Sequence, residues 1–382
     1  MNHYIIKPYN PNMTNPKIGA KAAEDKNDER PSPVLPQAGS KGLLCVGIDV
    51  HLEESVLVSQ RAFEKPGRAR KLSWPAIVSQ VAAWVAEGYE VVCAQEACGF
   101  GYEFHHQLVA AGAKSYVVAP EALGQRKTDK LDARKLCQKL SSYLAGQKDE
   151  LRPIRIPRAG EITRRDQSRH REFLKAEIKA IESRGSALYR AHTHQPLRSR
   201  WWGPRIFKML ALPAAIKDLL SGYQVLLLEL ERQLKAAVAA LTQPYESMEL
   251  PLSLGVLSWA TIDAEVCDWK RFHNRGQAGS YPGLCPQVKG SAGEFRYGPI
   301  DRHGNGRLRR QLVEAVWRLI HTQPQWHALL KWQTRLGAGK ALKKKTVVAL
   351  ARQLMVDLWR WQTGQQTLDG LGLKARTVKI GS

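Results

Sequence analysis

Two acidic residues lie at the ends of predicted strands, where many α/β proteins place their functional groups. Asp49 lies at the end of the apolar run LLCVGIDV (residues 43–50), and Glu96 lies at the end of YEVVCAQEA (residues 89–97). Sites in open α/β sheets form outside the carboxyl ends of the strands. We therefore expect these two carboxylates to lie at one edge of a sheet.

Two further acids, Asp129 and Asp132, are three residues apart in KTDKLDARK (residues 127–135) and would share one face of a helix. Four converging carboxylates would repel one another unless cations lay between them. Oxygen ligands suit Mg²⁺ or Mn²⁺. Two such ions can activate a nucleophile and stabilise the leaving oxygen at a phosphodiester. The four acids together therefore favour a metal-dependent nuclease site.

Each acid also has a structural interpretation. Asp49 could be an ordinary loop residue, and Glu96, which precedes ACGFG, could cap the next helix. Asp129 and Asp132 could pair with the basic residues beside them, which are Lys127, Lys130 and Arg134. The combination of all four acids with a strongly basic chain, and no single residue, supports the metal site.

The N-terminal part of the chain predicts an α/β domain around a central sheet. Strands are expected at residues 43–50, 89–97 and 114–120, with a hairpin partner after the first, and helices at residues 75–88 and 101–113. Gly88 is expected to end the first of these helices.

Beyond residue 150 the sequence predicts mostly helices. A charged helical segment is expected at residues 160–190, an amphipathic helix at 212–241, and a compact helical region at 250–365 with a Gly-rich insert at 276–306. The last residues, KARTVKIGS, are expected to fray.

The charge of the chain indicates a polyanionic partner. Lysine and arginine number 58 against 35 aspartates and glutamates, which gives a net charge of +23. The basic residues cluster in RRDQSRHR, RLRR and KKK. Clustering favours nucleic acid over the alternative of a basic protein kept soluble by its charge.

The six cysteines form no CxxC pair and no zinc-finger spacing with histidine. We expect reduced, mostly buried thiols in a cytoplasmic protein. No apolar run approaches the ~20 residues of a membrane helix, and the N-terminus lacks the pattern of a secretory signal.

Several separated motifs resemble the insertion sequence 110 family of transposases. In the N-terminal half they are GIDVHLEESVL, QEACGFG and KTDKLDARKL. In the C-terminal half they are the stretch of residues 271–317 and KTVVALARQLMVDLWRW (residues 345–361). The motifs follow the family's order over about residues 43–365.

The resemblance implies an RNA-guided DNA transposase, or recombinase, in which a bridge RNA pairs with target and donor DNA. It implies an α/β RuvC-like (RNase H-like) N-terminal domain, a long helical coiled-coil arm and a mostly helical C-terminal transposase domain. The corresponding bounds are the RuvC-like domain at 43–150, the arm at 151–245, the transposase domain at 246–365 and a tail at 366–382. The Pro, Asn and Lys content of residues 1–42 separately predicts a disordered extension, which has no counterpart in the family. The family's D-E-D-D tetrad falls on Asp49, Glu96, Asp129 and Asp132, as ligands of Mg²⁺ (or Mn²⁺).

The family's nucleophilic serine falls on Ser291 when the loop is registered on the flanking GLCP and YGPI. The implied reaction is attack of this serine on DNA to form a covalent phosphoserine. The loop here reads KGSAGE, so Gly290 replaces a serine and Ala292 replaces a glycine, and Ser280 is the nearest other serine. A second departure is LPLSLGVLSWATI (residues 250–262), where the family has an IPGIGxxTA hairpin.

Basic side chains are the expected phosphate contacts, because lysine and especially the arginine fork suit phosphate oxygens. The candidates are Lys127, Lys130, Arg164, Arg165, Arg169, Arg171, Arg296, Arg302, Arg307, Arg309 and Arg310. Exposed aromatics such as Trp201 or Trp202 could add stacking on RNA bases, although most of the eleven tryptophans are expected in the core.

The expected partners are donor and target DNA, a guide RNA encoded by the element, and further copies of the chain. The copies would form a homodimer or homotetramer with composite active sites, associated with the nucleoid of a bacterial cytoplasm. Two other functions stay open on the sequence alone. One is a RuvC-like structure-selective endonuclease, such as a junction resolvase, that uses metal-activated water. The other is a non-catalytic nucleic-acid-binding protein.

Overall fold

The computed structural model describes residues 40–61, 64–120, 129–289, 296–337 and 339–379, with the backbone alone at residues 129–130, 288–289 and 297. The chain divides into two compact units between Ile156 and Pro157. The N-terminal one is called unit 1 and the C-terminal one unit 2.

The described part of unit 1 is a mixed sheet with helices on both faces. Its elements are β1 (Leu43–Asp49), β2 (Ser55–Arg61), β3 (Arg70–Leu72), α1 (Trp74–Ala86), β4 (Glu90–Glu96), α2 (Glu103–Ala110), β5 (Lys114–Val118) and α3 (Asp129–Leu144). The strand order is β3-β2-β1-β4-β5. β1 pairs antiparallel with β2 and parallel with β4, which in turn pairs parallel with β5. The predicted α/β sheet and its hairpin are confirmed.

The central strands are apolar on both faces, as strands covered on both sides must be. Leu44, Val46 and Ile48 of β1 pack in the cluster that includes α1 and α2. Cys45, on the opposite face, packs in the cluster that includes α3. Gly88 follows α1 with a φ of 94°, a conformation that favours glycine, so the predicted helix end is confirmed.

The chain after α3 returns to the free edge of the sheet before unit 2 begins. Pro153 forms a bridge with Val118, and the Ile154 amide donates to the Val117 carbonyl at 2.8 Å. Leu151 is 4% exposed within the same core as α3. Residues after the predicted boundary at 150 therefore contribute to the sheet of unit 1.

Three thiols lie inside unit 1, at Cys45, Cys93 and Cys137. Burial raises the pKa of Cys45 to about 11 and that of Cys137 to about 12. Burial also raises the pKa of Cys93, which is fully enclosed. Cys98 is exposed. The expectation of free and mostly buried thiols is confirmed for the part of the chain that is described.

Unit 2 is mostly helical where it is described. Its elements are α4 (Ala159–Thr193), α5 (Pro204–Lys208), α6 (Ala214–Thr242), β6 (Glu249–Pro251), α7 (Val256–Val266), α8 (Arg275–Ser280), β7 (Pro286–Lys289), β8 (Arg296–Ile300), α9 (Gly306–Thr322), α10 (His327–Gly337), α11 (Lys340–Gln362) and β9 (Ala375–Thr377). The predicted long helices and the helical C-terminal region are confirmed.

The long helices α4 and α6 pack against each other around two tryptophans. Trp201 and Trp202 are 0% and 3% exposed, and they share a cluster with Leu220 and Leu227 of α6. The ring of Trp201 occupies the space where Gly185 of α4 lacks a side chain. The expectation that these tryptophans are exposed for base stacking is wrong, because they fill the space between the helices.

The C-terminal residues close a second small sheet. β9 pairs antiparallel with β6, and Val378, just beyond it, is 6% exposed within the core formed by α7, α9 and α11. The expectation of a frayed end is wrong for residues 374–378, because backbone pairing and burial fix them. No helix among the described residues has the length and apolarity needed to cross a lipid bilayer.

Candidate active site

Asp49 and Glu96 end neighbouring parallel strands at the same level. Ile48 pairs with Gln95 in the β1–β4 register, so the residues that follow them are the two acids. Adjacent strands lie about 4.8 Å apart. The side chain of Asp49 is 26% exposed and Glu96 is partly exposed. The sheet therefore brings the two predicted strand-end carboxylates side by side.

Both acids belong to the face of the sheet that α3 covers. Side chains alternate along a strand, so Asp49 shares a face with Cys45, and Glu96 shares a face with Ala94. Cys45 and Ala94 both pack in the cluster that contains Ala133 and other α3 residues. The two carboxylates thus project on the side of the sheet where α3 lies.

Helix α3 runs antiparallel to β1 and lies directly on it. The Cys137 thiol donates to the Cys45 carbonyl at 3.4 Å, while Gly47, further along β1, faces the earlier residue Ala133. A Cβ at Gly47 would overlap the Ala133 carbonyl oxygen, so only glycine allows this approach. The start of α3 is therefore directed towards the strand end that holds Asp49.

Asp129 and Asp132 are the first and fourth residues of α3. Asp132 is partly exposed, and the side chain of Asp129 lies outside the described residues. The structure thus brings the end of β1, the end of β4 and the start of α3 to one edge of unit 1. The tetrad as a whole stays a prediction.

Carboxylate oxygens are the ligands that Mg²⁺ and Mn²⁺ prefer. Asp49, Glu96 and Asp132 therefore fit such an ion in their donor chemistry. Among the described side chains, however, no group of three or more histidines, cysteines or acids is close enough to hold a metal ion. His51 contacts Asp49, with 3.3 Å between Nε2 and Oδ2.

Besides the side chain of Asp129, three further predicted site groups lie outside the described part of the chain. Ser291 and Lys127 lie outside the described residues, and so does the side chain of Lys130. In the chain, Ser291 falls between β7 and β8, which pair as an antiparallel hairpin. The base of this hairpin is closed by the Asp301 amide, which donates to the Cys285 carbonyl at 2.8 Å.

Three of the four predicted phosphate-binding arginines of α4 form ion pairs within unit 2. Arg164 lies 3.4 Å from Asp263, and Arg165 lies 3.8 Å from Glu265. Arg169 donates to both carboxylate oxygens of Glu265, at 3.1 and 3.2 Å. These contacts join α4 to α7.

Glu265 is a fully buried carboxylate that the sequence did not single out. Burial alone would raise its pKa, but hydrogen bonds from Arg169 and Asn305 and the charges of Arg169 and Arg165 outweigh burial and lower the pKa. Asn305 donates to Glu265 Oε2 at 2.7 Å and accepts from the amides of Arg307 and Leu308 at 3.1 Å. Asn305 is thus the N-cap of α9. The asparagine of GNGRLRR is a visible capping signal in the sequence, whereas the buried glutamate has none.

A second carboxylate organises the arginines at the start of α9. Glu172 of α4 accepts from Arg307 at 3.1 Å and from Arg310 at 2.6 Å. Burial lowers the pKa of the neighbouring Arg171; the charge of Glu172 opposes this shift, and that of Arg310 adds to it. The structure therefore groups three of the predicted arginines around one acid.

The remaining predicted arginines differ in their surroundings. Arg309 donates to the Pro282 carbonyl at 3.0 Å and so supports the chain before the hairpin. Arg296, the first residue of β8, and Arg302, two residues after the strand, are both exposed, and Arg302 has a φ of 59°. Their role as phosphate contacts stays a prediction.

Comparisons with known proteins relate this chain to transposases. Residues 253–331, from the residues before α7 into α10, match the profile of the Transposase IS116/IS110/IS902 family. The chain is also 29% identical over 320 residues to a Sinorhizobium fredii protein named "Putative transposase y4rJ", covering 75% of this chain and 80% of that protein. The chain is thus similar to a transposase over most of its length, and to the IS116/IS110/IS902 family over residues 253–331.

Proposed function

We propose that this protein is an RNA-guided DNA transposase that cuts and rejoins strands through a covalent phosphoserine at Ser291. The main structural support is the register that sets Asp49 beside Glu96 on the sheet face where α3 begins. The family profile and the similarity to a transposase support the substrate class, which is DNA. The guide RNA and the serine chemistry rest on the motif resemblance.

In the proposed site, Asp49, Glu96, Asp129 and Asp132 hold Mg²⁺ or Mn²⁺. The bound ion would offset the negative charge of the phosphate and favour loss of the serine proton. A phosphodiester has no proton to donate to a carboxylate, so the four carboxylates would act on it only through the cations they hold at the edge of unit 1. The partial exposure of the three described acids leaves that edge open to a large substrate such as DNA.

The reaction balances without an external energy source. Ser291 Oγ loses its proton and forms a bond to phosphorus, while the bond from phosphorus to one deoxyribose oxygen breaks and that oxygen gains a proton. In the reverse step a DNA hydroxyl attacks the phosphoserine, releases Ser291 and forms the new phosphodiester. One phosphoester bond replaces another at each step, so ATP is not needed.

The proposed partners are donor and target DNA, a guide RNA and another copy of the chain. Leu219, Val225 and Leu226 of α6 are 58%, 66% and 53% exposed, although Leu220 and Leu227 of the same helix are buried against α4. One side of α6 therefore forms the intramolecular helix pair. The exposed apolar side supports a subunit interface, as in a homodimer or homotetramer with composite sites.

The direct test is a covalent protein–DNA adduct, detected by its retarded migration under denaturing conditions. We expect Ser291→Ala to abolish the adduct, because no hydroxyl remains to form the ester. Ser280→Ala is the matched control, since Ser280 is an exposed serine at the end of α8 that donates to the Gln277 carbonyl. It should form as much adduct as the unsubstituted protein.

An adduct that persists in Ser291→Ala would refute the nucleophile assignment. Strand cleavage by Ser291→Ala with no adduct would instead indicate a RuvC-like endonuclease that uses activated water. Removal of the RNA tests the guide separately, because a guided enzyme should lose site selection without it.

A further inference from the structure

We propose that the helix pair α10–α11 of unit 2 is a binding surface for the phosphate backbone of DNA. The residues of this α10–α11 basic surface are Lys331, Arg335, Lys340, Lys343, Lys344 and Lys345. The inference rests on the proposed function only in taking DNA as the substrate. It does not depend on Ser291 or on a metal ion.

The sequence around this surface lacks acidic residues altogether. Between Glu314 and Asp357 there are eight lysines and arginines and no aspartate or glutamate. A run of basic residues on a solvated helix is usually interleaved with acids that pair with them. Because this stretch has no acids, its positive charges are not offset by residues that are close to them in the sequence.

The structure shows that these charges are both exposed and unpaired. All six residues of the surface are exposed except Lys343, which is partly buried. None of the six forms an ion pair with any residue that the structure describes. Arg169 and Arg307, by contrast, lie 3.1 Å from the carboxylates of Glu265 and Glu172. The six basic residues on α10 and α11 therefore form a cluster of exposed charges that is free to bind phosphates.

The lysines at the start of α11 occupy positions that lower the stability of the free protein. Lys340 is the first residue of α11, and Lys344 follows one turn later. The N-terminus of a helix carries partial positive charge, so cations there are unfavourable. Like charges four residues apart add further repulsion. Bound phosphates would remove both costs, which makes an anionic partner the occupant that this arrangement fits.

Two tryptophans hold basic side chains in place. The Arg335 guanidinium lies 4.9 Å from the ring centre of Trp332, and Lys343 Nζ lies 5.7 Å from that of Trp317. Such cation–π contacts restrict long side chains before a ligand binds. Arg335 and Lys331 are four residues apart and share a face of α10. The surface is therefore partly ordered in advance of binding.

The chemistry of the surface fits contact with backbone phosphates. Lysine is a point charge that approaches a phosphate from many directions and does not select a base. The family profile ends at residue 331, so it does not include Arg335 or the lysines of α11. DNA is the polyanion that a transposase acts on, so we assign the surface to the DNA backbone.

The test compares two triple variants that remove the same charge. Lys340→Gln/Lys344→Gln/Lys345→Gln removes three exposed lysines of the surface. Lys175→Gln/Lys208→Gln/Lys235→Gln removes three exposed lysines elsewhere in unit 2. Binding to a short labelled DNA duplex is measured by fluorescence anisotropy over a range of salt concentrations, with EDTA present so that no strand is cut.

We expect the surface variant to lose about 10-fold or more in affinity. Each lost phosphate contact should make the slope of log K against log salt shallower by about 0.9. The control variant should keep both the affinity and the slope. The Tm of the free surface variant should not fall, because lysines that repel one another have been neutralised. This readout separates lost contacts from lost folding.

Equal losses in both triple variants would overturn the proposal, since net charge and not this surface would then set the affinity. An unchanged surface variant would overturn it as well. A loss confined to duplex RNA, measured in parallel, would show that the occupant is RNA and would refute the DNA assignment. Because EDTA excludes cleavage, failure of the serine reaction leaves these outcomes unaffected.

Discussion

At the scale of single residues, Asp49 and Glu96 adjoin because of strand register, although 47 positions separate them in the sequence. Each acid follows an apolar run, which is a pattern the sequence shows directly. Their common face follows from the alternation of side chains along paired strands. These two members of the candidate site could therefore be predicted without the structure.

Asp132 provides a test of the acidic site that is independent of the serine. We expect Asp132→Asn to reduce DNA cleavage at least about 100-fold, because an amide is a poor substitute for a carboxylate that holds a cation. Asp149→Asn, at an exposed acid elsewhere in unit 1, is the control. Cleavage is measured on labelled DNA with Mg²⁺, and duplex binding is measured without it.

Binding should be retained in both of these variants. Cleavage by Asp132→Asn at the unsubstituted rate would remove Asp132 from the site. Loss of cleavage together with loss of binding would show damage to folding and not to the chemistry.

Glu265 shows what single-sequence reasoning misses at this scale. A glutamate in a helix is expected at the surface, since an isolated charge is costly to bury. Its burial is possible because Arg169, 96 positions earlier, forms two hydrogen bonds to it. The same contact explains why arginines of α4 that were expected to face nucleic acid are partly used inside unit 2. Long-range pairing of this kind leaves no local pattern.

At the scale of elements, helical periodicity predicts the long helices well, whereas no sequence pattern predicts the short strands. β3 and β9 have three residues each, with the sequences RKL and ART. A strand of that length has no measurable alternation, and its charges resemble those of a loop. β9 exists because its backbone pairs with β6, more than a hundred positions earlier.

Gly47 is the residue that allows α3 to approach the sheet, and its replacement tests that contact. We expect Gly47→Ala to lower the free energy of unfolding by about 3 kcal/mol, because the added Cβ would overlap the Ala133 carbonyl. Cleavage should fall as well, because a shift of α3 that relieves this overlap would move the start of the helix relative to Asp49. Chemical denaturation and the cleavage assay measure the two effects.

Gly99→Ala is the matched control for Gly47→Ala, because a Cβ at Gly99 meets no atom within 4 Å. Its stability should change by less than about 0.5 kcal/mol. Full stability of Gly47→Ala would mean that α3 does not lie directly on β1.

At the scale of the whole molecule, the division into two units was only partly visible in the sequence. The change from alternating strands and helices to continuous helices near residue 150 is a compositional signal. The exact end of unit 1 is not, because residues 151–156 have no periodicity of their own. Their position depends on pairing with Val117 and Val118, which only the folded sheet provides.

The pairing after α3 can be tested with two fragments. We expect residues 40–156 to unfold in one cooperative transition. Residues 40–150 should be less stable by about 2–4 kcal/mol, through loss of the buried Leu151 side chain and of the hydrogen bond between Ile154 and Val117. Urea denaturation followed by circular dichroism measures the difference. Equal stability of the fragments would show that residues 151–156 do not support the sheet.

The buried thiols of unit 1 allow opening of its sheet to be measured by chemical labelling. A thiol reacts with an alkylating reagent only as the thiolate, and burial both hides Cys45, Cys93 and Cys137 and raises their pKa. The exposed Cys98 has no such protection and labels first. The slower labelling rate of the other three thiols then measures how often local opening of unit 1 exposes them. The labelling rates of the buried thiols therefore report how often the sheet that positions the acidic residues opens.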